Sequence, residues 1–307
     1  MGFLRKLFGN KKPAEKPIES NKLALTPEQM QRVAAAVKTR YCKPVFRIDT
    51  TKSEALELTD SKFGGMPYWP TNLDYPKTSD NEPLVLLAQI NFSNEHLNSN
   101  LLPKQGLLQF FIAANDHYGL NFGNGTMQDT FRVVYHPSID TETKAENDKQ
   151  VGALSNTQLD PKETPFPFYD QFALSFYAST DTISNGLELF DAAVGEAIGQ
   201  VMGIPAPEKP WKELTSESYD GICALLRHDG SKMLGYPTFT QWDPRHENDG
   251  FDTLLLQIDS NMKQHIMWNS GQKVCPNLGI DAGQCPFFSK NLDFIEILTR
   301  TKSVSGF

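Results

Sequence analysis

One phrase occurs twice in this chain, each time with the same sequel. Ser61-Lys62-Phe63-Gly64-Gly65-Met66-Pro67 leads to Leu86-Leu87-Ala88-Gln89-Ile90-Asn91 and then to Gly106-Leu107-Leu108-Gln109-Phe110-Phe111. Downstream, Ser231-Lys232-Met233-Leu234-Gly235-Tyr236-Pro237 leads to Leu255-Leu256-Gln257-Ile258-Asp259 and then to Gly283-Gln284-Cys285-Pro286-Phe287-Phe288. The step from Ser61 to Gln89 is 28 residues and that from Ser231 to Gln257 is 26. A unit that recurs once predicts two similar halves burying a shared core. It constrains architecture and names no reaction.

The length of 307 residues allows one large domain or two modest ones, and a hydrophobic fraction of 39% suffices to fill a core. Twenty prolines and 21 glycines, spread along the chain, suit a turn-rich sheet protein better than a helical bundle. The formal charge of −8 is unevenly placed: residues 1–20 hold five basic and two acidic side chains, a net +3 that leaves −11 for the rest. An acidic body without a basic patch argues against a nucleic-acid partner. Cys42, Cys223, Cys275 and Cys285 form no C-x-x-C pair, so reduced cysteines are expected rather than a disulfide framework or a metal site. No cofactor motif is present. No apolar run approaches the roughly 18 residues of a membrane span, and no secretory signal is legible, which predicts a cytoplasmic protein.

Residues 1–25 read as a tail. Phe3, Leu4, Leu7 and Phe8 share a helical face with Arg5, Lys6, Lys11 and Lys12 around it. This pattern in residues 1–12 suits weak contact with an anionic surface such as the inner membrane, although so short a helix is marginal alone. Asn10 to Leu23, polar with Pro13 and Pro17, reads as a tether. The folded part is expected over 26–307, with a first half at about 26–136, a polar connecting segment at 137–165 and a second half at about 166–307.

Thr26, Pro27 and Gln29 form a capping box that opens a helix, and Met30, Val33, Ala34 and Val37 carry it to Thr39 or Arg40. Leu84 to Phe92, Leu107 to Ala113, Phe131 to Tyr135 and Leu254 to Ile258 are strand candidates, with Ile266 to Trp268 and Phe294 to Leu298 weaker ones. Phe166 to Tyr177 has sheet-like aromatics. Asp181 to Met202 follows a three-to-four spacing that predicts a helix ended by Pro205, and Thr215 to Arg227 predicts another.

The repeated segments, with Tyr68-Trp69-Pro70 after the first, resemble the YwqG-like family of bacterial proteins, also known as the domain of unknown function DUF1963. The resemblance runs over roughly residues 26–298. It implies an α+β protein, mainly antiparallel sheets with a few flanking helices and an internal duplication into two pseudo-equivalent halves. It implies no substrate or catalytic residue. Asn269 to Ile280 departs from the family pattern as an insertion, and Thr299 to Phe307 replaces its usual aromatic ending.

Alternation along a strand puts Gln89 and Asn91 on one face, and Gln257 and Asp259 on one face in the second copy. If a pseudo-twofold axis relates the halves, these four line a ligand site, with Trp69 and Trp242 at its mouth as aromatic clamps. The plainer alternative has the glutamines satisfying backbone groups of the neighbouring Gly-Pro loops and the tryptophans covering a core edge. Asn115 to Gly119 carries a single carboxylate, and Asp243 to Gly250 lacks the spacing of a calcium loop, so no metal site is expected. The six histidines form no closely spaced pair, and no nucleophile elbow or phosphate loop occurs.

The leading reading is a non-catalytic module that binds a protein, peptide or small polar ligand in a cleft between its halves. Two alternatives stand beside it. One is a hydrolase or transferase using Asp259 or Asp243 with His228 or His246, or Cys223 or Ser231 with His228. The other is a membrane-surface recruiter acting through its basic N-terminus.

Overall fold

A computed structural model describes residues 21–95, 97–120, 127–140, 142–143, 152–239, 243, 251–268 and 284–290. Trp242, His246, the basic segment 1–12 and the strand expected at Phe294 to Leu298 lie outside these residues. The chain divides into two compact units, one formed by residues up to Arg40 together with Leu189–Leu226, the other by Tyr41–Glu188 together with everything from Arg227 onward.

The first unit is helical. Helix α1 (Pro27–Arg40) starts at the box read from sequence: Thr26 N–H donates to Gln29 Oε1 at 2.8 Å and Gln29 N–H to Thr26 Oγ1 at 3.2 Å. Its buried Val33, Ala34 and Val37 face α3 (Phe190–Met202) and α5 (Ser216–Leu226), with the single turn α4 (Pro210–Glu213) between them. The chain entering α1 is tied down by a bridge between Leu23 and Leu214 and by Leu25 N–H donating to Ser218 Oγ at 2.8 Å. Helix α3 begins nine residues later than the spacing predicts. Asp181 and Thr182 finish a strand, and Ile183 and Leu187 are buried in the turns that follow, so their apolar spacing reflects burial rather than a helix. The helix stops at Gly203 in the left-handed region (φ 67°), whose N–H donates to Gly199 O.

The second unit is a curled antiparallel sheet. Its strands are β1 (Cys42–Lys52), β2 (Lys62–Phe63), β3 (Val85–Asn91), β4 (Leu107–Ile112), β5 (Phe131–His136), β6 (Phe172–Thr182), β7 (Lys232–Leu234), β8 (Phe251–Asp259) and β9 (Gln284–Lys290), and the one-turn helix α2 (Phe92–Glu95) follows β3. Their spatial order is β5-β4-β3-β2-β6-β1-β7-β8-β9. The protein is thus α+β, as expected.

The centre of the sheet is an eleven-residue ladder between β1 and β6, from Cys42 opposite Thr182 to Lys52 opposite Phe172. The registers on its two sides match. Lys232 lies opposite Arg47, two residues before Asp49, and Lys62 lies opposite Ala173, two residues before Ser175; Asp49 and Ser175 are themselves opposite each other. Outward from there, Lys62 pairs with Gln89 and Gln89 with Gln109, while Lys232 pairs with Gln257 and Gln257 with Pro286.

The inner face of the curl buries one apolar cluster that includes Phe63, Ile90, Phe110, Val133, Met233, Leu256 and Ile258. Tyr118, between β4 and β5, meets Trp268, beyond β8, edge to face at 5.7 Å, so connections from opposite ends of the strand order touch across it. The outer face near β3 and β4 is roofed by the chain between β2 and β3: Trp69 and Tyr75 pack on Leu84, Leu86 and Phe111. Both faces of β3 are therefore buried, which is why it reads as a continuous apolar run. The segment Ile266 to Trp268, expected to be extended, forms only an isolated bridge from Ile266 to Asn261.

Gly195 in α3 sits where a Cβ would come 2.1 Å from the carbonyl oxygen of Pro207. In an open helix Gly→Ala gains about 1 kcal/mol. Here Gly195→Ala is expected to destabilise the protein by about 1–3 kcal/mol, as overpacking does, which thermal or denaturant unfolding will read directly.

Candidate functional site

The repeated lysine and glutamine build a polar layer on the outer face of the sheet. In the first copy Gln89, fully buried, uses all of its capacity. Its Oε1 accepts from Tyr68 N–H at 3.1 Å and from Gln109 Nε2 at 2.8 Å, and its Nε2 donates to Leu58 O and Asp60 O, both at 2.9 Å. Gln109 Nε2 also donates to Tyr68 O at 2.8 Å, and its Oε1 lies 3.0 Å from His136 Nε2. Lys62 Nζ donates to Glu57 O and Leu58 O. Asn91 Nδ2 donates to Thr59 O, and its Oδ1 accepts from Ser93 N–H. These groups lash the chain on both sides of β2 to β3.

The second copy reuses the plan with fewer partners. Ser231 Oγ accepts from Asp259 N–H at 3.1 Å, as Ser61 Oγ accepts from Asn91 N–H at 2.9 Å. Gln257 Oε1 accepts from Thr238 N–H at 2.9 Å, but its buried Nε2 has no partner. In the register Pro286 stands opposite Gln257, as Gln109 stands opposite Gln89. Lys232 Nζ donates to Asp181 Oδ2 at 2.7 Å and to Thr238 Oγ1 at 3.2 Å, and Arg47 Nη2 donates to Asp181 Oδ1 at 2.9 Å. Burial lowers the Lys232 pKa against the raising effect of Asp181. Asp259 Oδ2 accepts from Gly230 N–H, and its Oδ1 from Ser260 N–H.

The sheet therefore does not bring the four strand residues into one site: β3 and β8 are separated in the strand order by β2, β6, β1 and β7. Trp69 is 4% exposed, stacks edge to face on Tyr75, Phe111 and His136, and donates from Nε1 to Leu73 O. Of the groups weighed for catalysis, Ser231 Oγ is engaged as described, His228 O accepts from Thr238 Oγ1, and Asp243 N–H donates to Gly186 O. The Cys223 thiol is pushed up to about 11, by burial first and then by Asp220, so it stays protonated at neutral pH. Among the described residues no cluster of His, Cys, Asp or Glu is set to hold a metal ion.

Sequence reasoning missed a concavity. Where β1 meets β6, a groove of about 410 Å³ is lined by residues that include Pro44, Phe46, Glu95, Leu97, Phe176 and Ala178. Its walls come from β1, from β6 and from the turn after α2, segments that only the central ladder brings together. No motif marks it.

Residues 61–273 match the family model described as a domain of unknown function, DUF1963. The chain belongs to the DUF1963 family. The match begins at the serine that opens the first repeat and takes in both lysine–glutamine layers and β6. No curated protein matches the chain. Among the described residues no helix is long and apolar enough to cross a membrane.

Two measurements probe the polar layer. Gln89→Leu strands Asp60 O and Tyr68 N–H and takes one of two partners from Leu58 O and from Gln109 Nε2, and at about 1–3 kcal/mol for each stranded group it is expected to cost several kcal/mol. Gln257→Leu strands only Thr238 N–H and is expected to cost about 1 kcal/mol. Equal losses in urea melts would refute this asymmetry. His136, held neutral by burial that pushes its pKa down to about 4, gives the second. The unfolded chain takes up this proton below about pH 6.5 and the folded chain does not. Stability is therefore complete above pH 6.5 and declines as pH falls towards 4, by on the order of 3 kcal/mol. His136→Gln should flatten that part of the stability profile.

Proposed function

We propose that this DUF1963 protein is a non-catalytic binding module whose ligand, a peptide or small molecule, occupies the groove between β1 and β6. We also infer that β1–β4 and β6–β9 descend from one duplicated unit whose first strands have exchanged partners, so that β1 pairs with β7 and β6 with β2. The matched registers about the Asp49–Ser175 pair support the duplication. Strand β1 comes from the expected first half and β6 from the second, so the groove lies on their seam.

The observation that carries the binding reading is a difference between the copies. About the Asp49–Ser175 pair, Pro44 corresponds to Asp170, Ala178 to Lys52 and Phe176 to Thr50. Lys52 Nζ and Asp170 Oδ1 form an ion pair at 2.7 Å, and Gln264, in the turn after β8, bonds to both the hydroxyl and the carbonyl of Thr50. Those links tie together the walls that would bound a second groove. Pro44 and Ala178 have no side-chain group able to form such links, and Phe176 offers only apolar surface. Lys52 and Asp170 are 57% and 38% exposed in their side chains, and an ion pair so wet stabilises by less than about 1 kcal/mol. Its loss from the first copy therefore costs the fold little while opening a concavity in the size range of ligand sites.

N-acetyl-phenylalaninamide, a neutral apolar peptide fragment, is the first probe. Titrated onto the isotope-labelled chain, it is expected to shift the amide resonances of Leu97 and Ala178 saturably at millimolar concentration. The double variant Pro44→Asp/Ala178→Lys restores the closing pair and is expected to abolish those shifts without lowering Tm. Shifts that persist in the closed variant, or that never appear at the groove, would sink the reading.

A further inference from the structure

We propose a second contact surface, independent of the groove and carried by the first unit: Trp211 and the basic segment that leads into α1 form a joint anchor for an anionic lipid bilayer. Trp211 is the exception among the described tryptophans. Trp69 and Trp268 are each 4% exposed, whereas Trp211, on the single turn α4, is 51% exposed. Lys212 Nζ lies 4.6 Å from the centre of its ring. An exposed indole with an ammonium beside it suits the headgroup layer, where the ring meets acyl carbon and the cation meets phosphate. The strap between α3 and α4 adds the half-exposed Ile204. That strap packs on α3, with the carbonyls of Ile204 and Pro207 over Gly199 and Gly195, so Trp211 is displayed from a well-packed base.

One exposed indole is too little surface to hold a protein on a membrane. Its significance comes from where the N-terminal segment joins the unit. Leu23 N–H donates to Glu213 O at 2.8 Å and Thr215 N–H to Leu23 O at 3.0 Å, around the parallel bridge between Leu23 and Leu214. Leu23 is thereby fixed beside the turn that carries Trp211. At about 3.3–3.6 Å per residue, the chain between residues 12 and 23 spans no more than about 40 Å. Upstream of that tether, Phe3, Leu4, Leu7 and Phe8 share a face at helical spacing, with Arg5, Lys6, Lys11 and Lys12 beside them. Each contact alone is marginal, and stable attachment to a bilayer takes two such signals. The short tether makes the second contact intramolecular once the first has formed.

Charge selects the lipid. Residues 1–20 are net +3, and the exposed Lys22 follows them. Around Trp211, Lys209 and Lys212 balance Glu208 and Glu213, so the turn itself is not repelled. The rest of the chain, at −11, is repelled by an anionic surface, which restricts contact to this part of the first unit.

The test is co-sedimentation of the full chain with vesicles of phosphatidylcholine alone and of a two-to-one mixture with phosphatidylglycerol. The native chain is expected to bind the mixed vesicles at least tenfold more tightly than the neutral ones, and to be released by molar salt. Trp211→Gln should weaken that binding at least threefold, and deletion of residues 1–20 at least tenfold, with Tm unchanged in both. At saturating lipid, brominated phosphatidylcholine in the mixed vesicles should quench the native emission and quench Trp211→Gln far less. Equal binding to both vesicle types, or none to either, would overturn the proposal. So would a Trp211→Gln chain that binds and is quenched like the native one. If, without lipid, deleting residues 1–20 makes Trp211 more accessible to acrylamide, the segment covers Trp211 on its own chain and the bilayer reading is lost. None of these changes touches the groove, so the outcome bears on this surface alone.

Discussion

The ladder between β1 and β6 is the interaction on which the second unit depends. It joins strands that lie far apart in the sequence, with eleven residue pairs in unbroken register. Without it β2–β5 and β7–β9 would be two small sheets, each with a wide apolar face. With it, Phe63 and Phe110 from one side and Met233 and Ile258 from the other enter one cluster. Hydrophobic burial supplies the driving force, and the antiparallel register decides which residues meet.

Around this ladder the two repeats keep the same frame and differ in what they do with it. Both place a serine hydroxyl under the N–H two residues beyond the glutamine, and both use that glutamine to hold the chain leaving the short strand. The first copy satisfies every polar atom of Gln89 and roofs its outer face with Trp69 and Tyr75. The second leaves Gln257 Nε2 unpaired and spends its lysine on Asp181 rather than on carbonyls. On the inner face a groove lies beside Pro44 and Ala178, whereas Lys52 pairs with Asp170 and Gln264 bonds to Thr50. Polar groups common to both repeated segments are a poor guide to a ligand site, because both segments spend them on holding their own chain.

Much of the fold was legible because local chemistry and tertiary outcome agree. The box at Thr26 and Gln29 fixes the start of α1, and the apolar runs around Gln89, Gln109 and Gln257 become β3, β4 and β8. Strand β1 carries no such mark. Cys42, Lys43, Pro44 and Arg47 interrupt any alternation, and its four buried positions, Val45 to Ile48, are consecutive: Phe46 and Ile48 enter the inner cluster, while on the other face Val45 packs against Gly235 and Arg47 is held by Asp181. The helix expected from Asp181 fails for a related reason, since Asp181 is buried as the anchor of Arg47 and Lys232. The groove was invisible for the simplest reason: Phe46, Leu97 and Phe176 are neighbours only once the ladder has formed.

That ladder also sets a problem for synthesis. Ser175 lies 126 residues beyond its partner Asp49, so at roughly 5–20 residues per second a ribosome takes about 6–25 s to deliver it. Throughout that interval the nascent β1 has neither β6 nor β7 to pair with, and Val45, Phe46 and Ile48 are available to any other unsatisfied chain nearby. An unpaired strand exposed for that long is the kind of transient surface that favours aggregation and that holding chaperones cover.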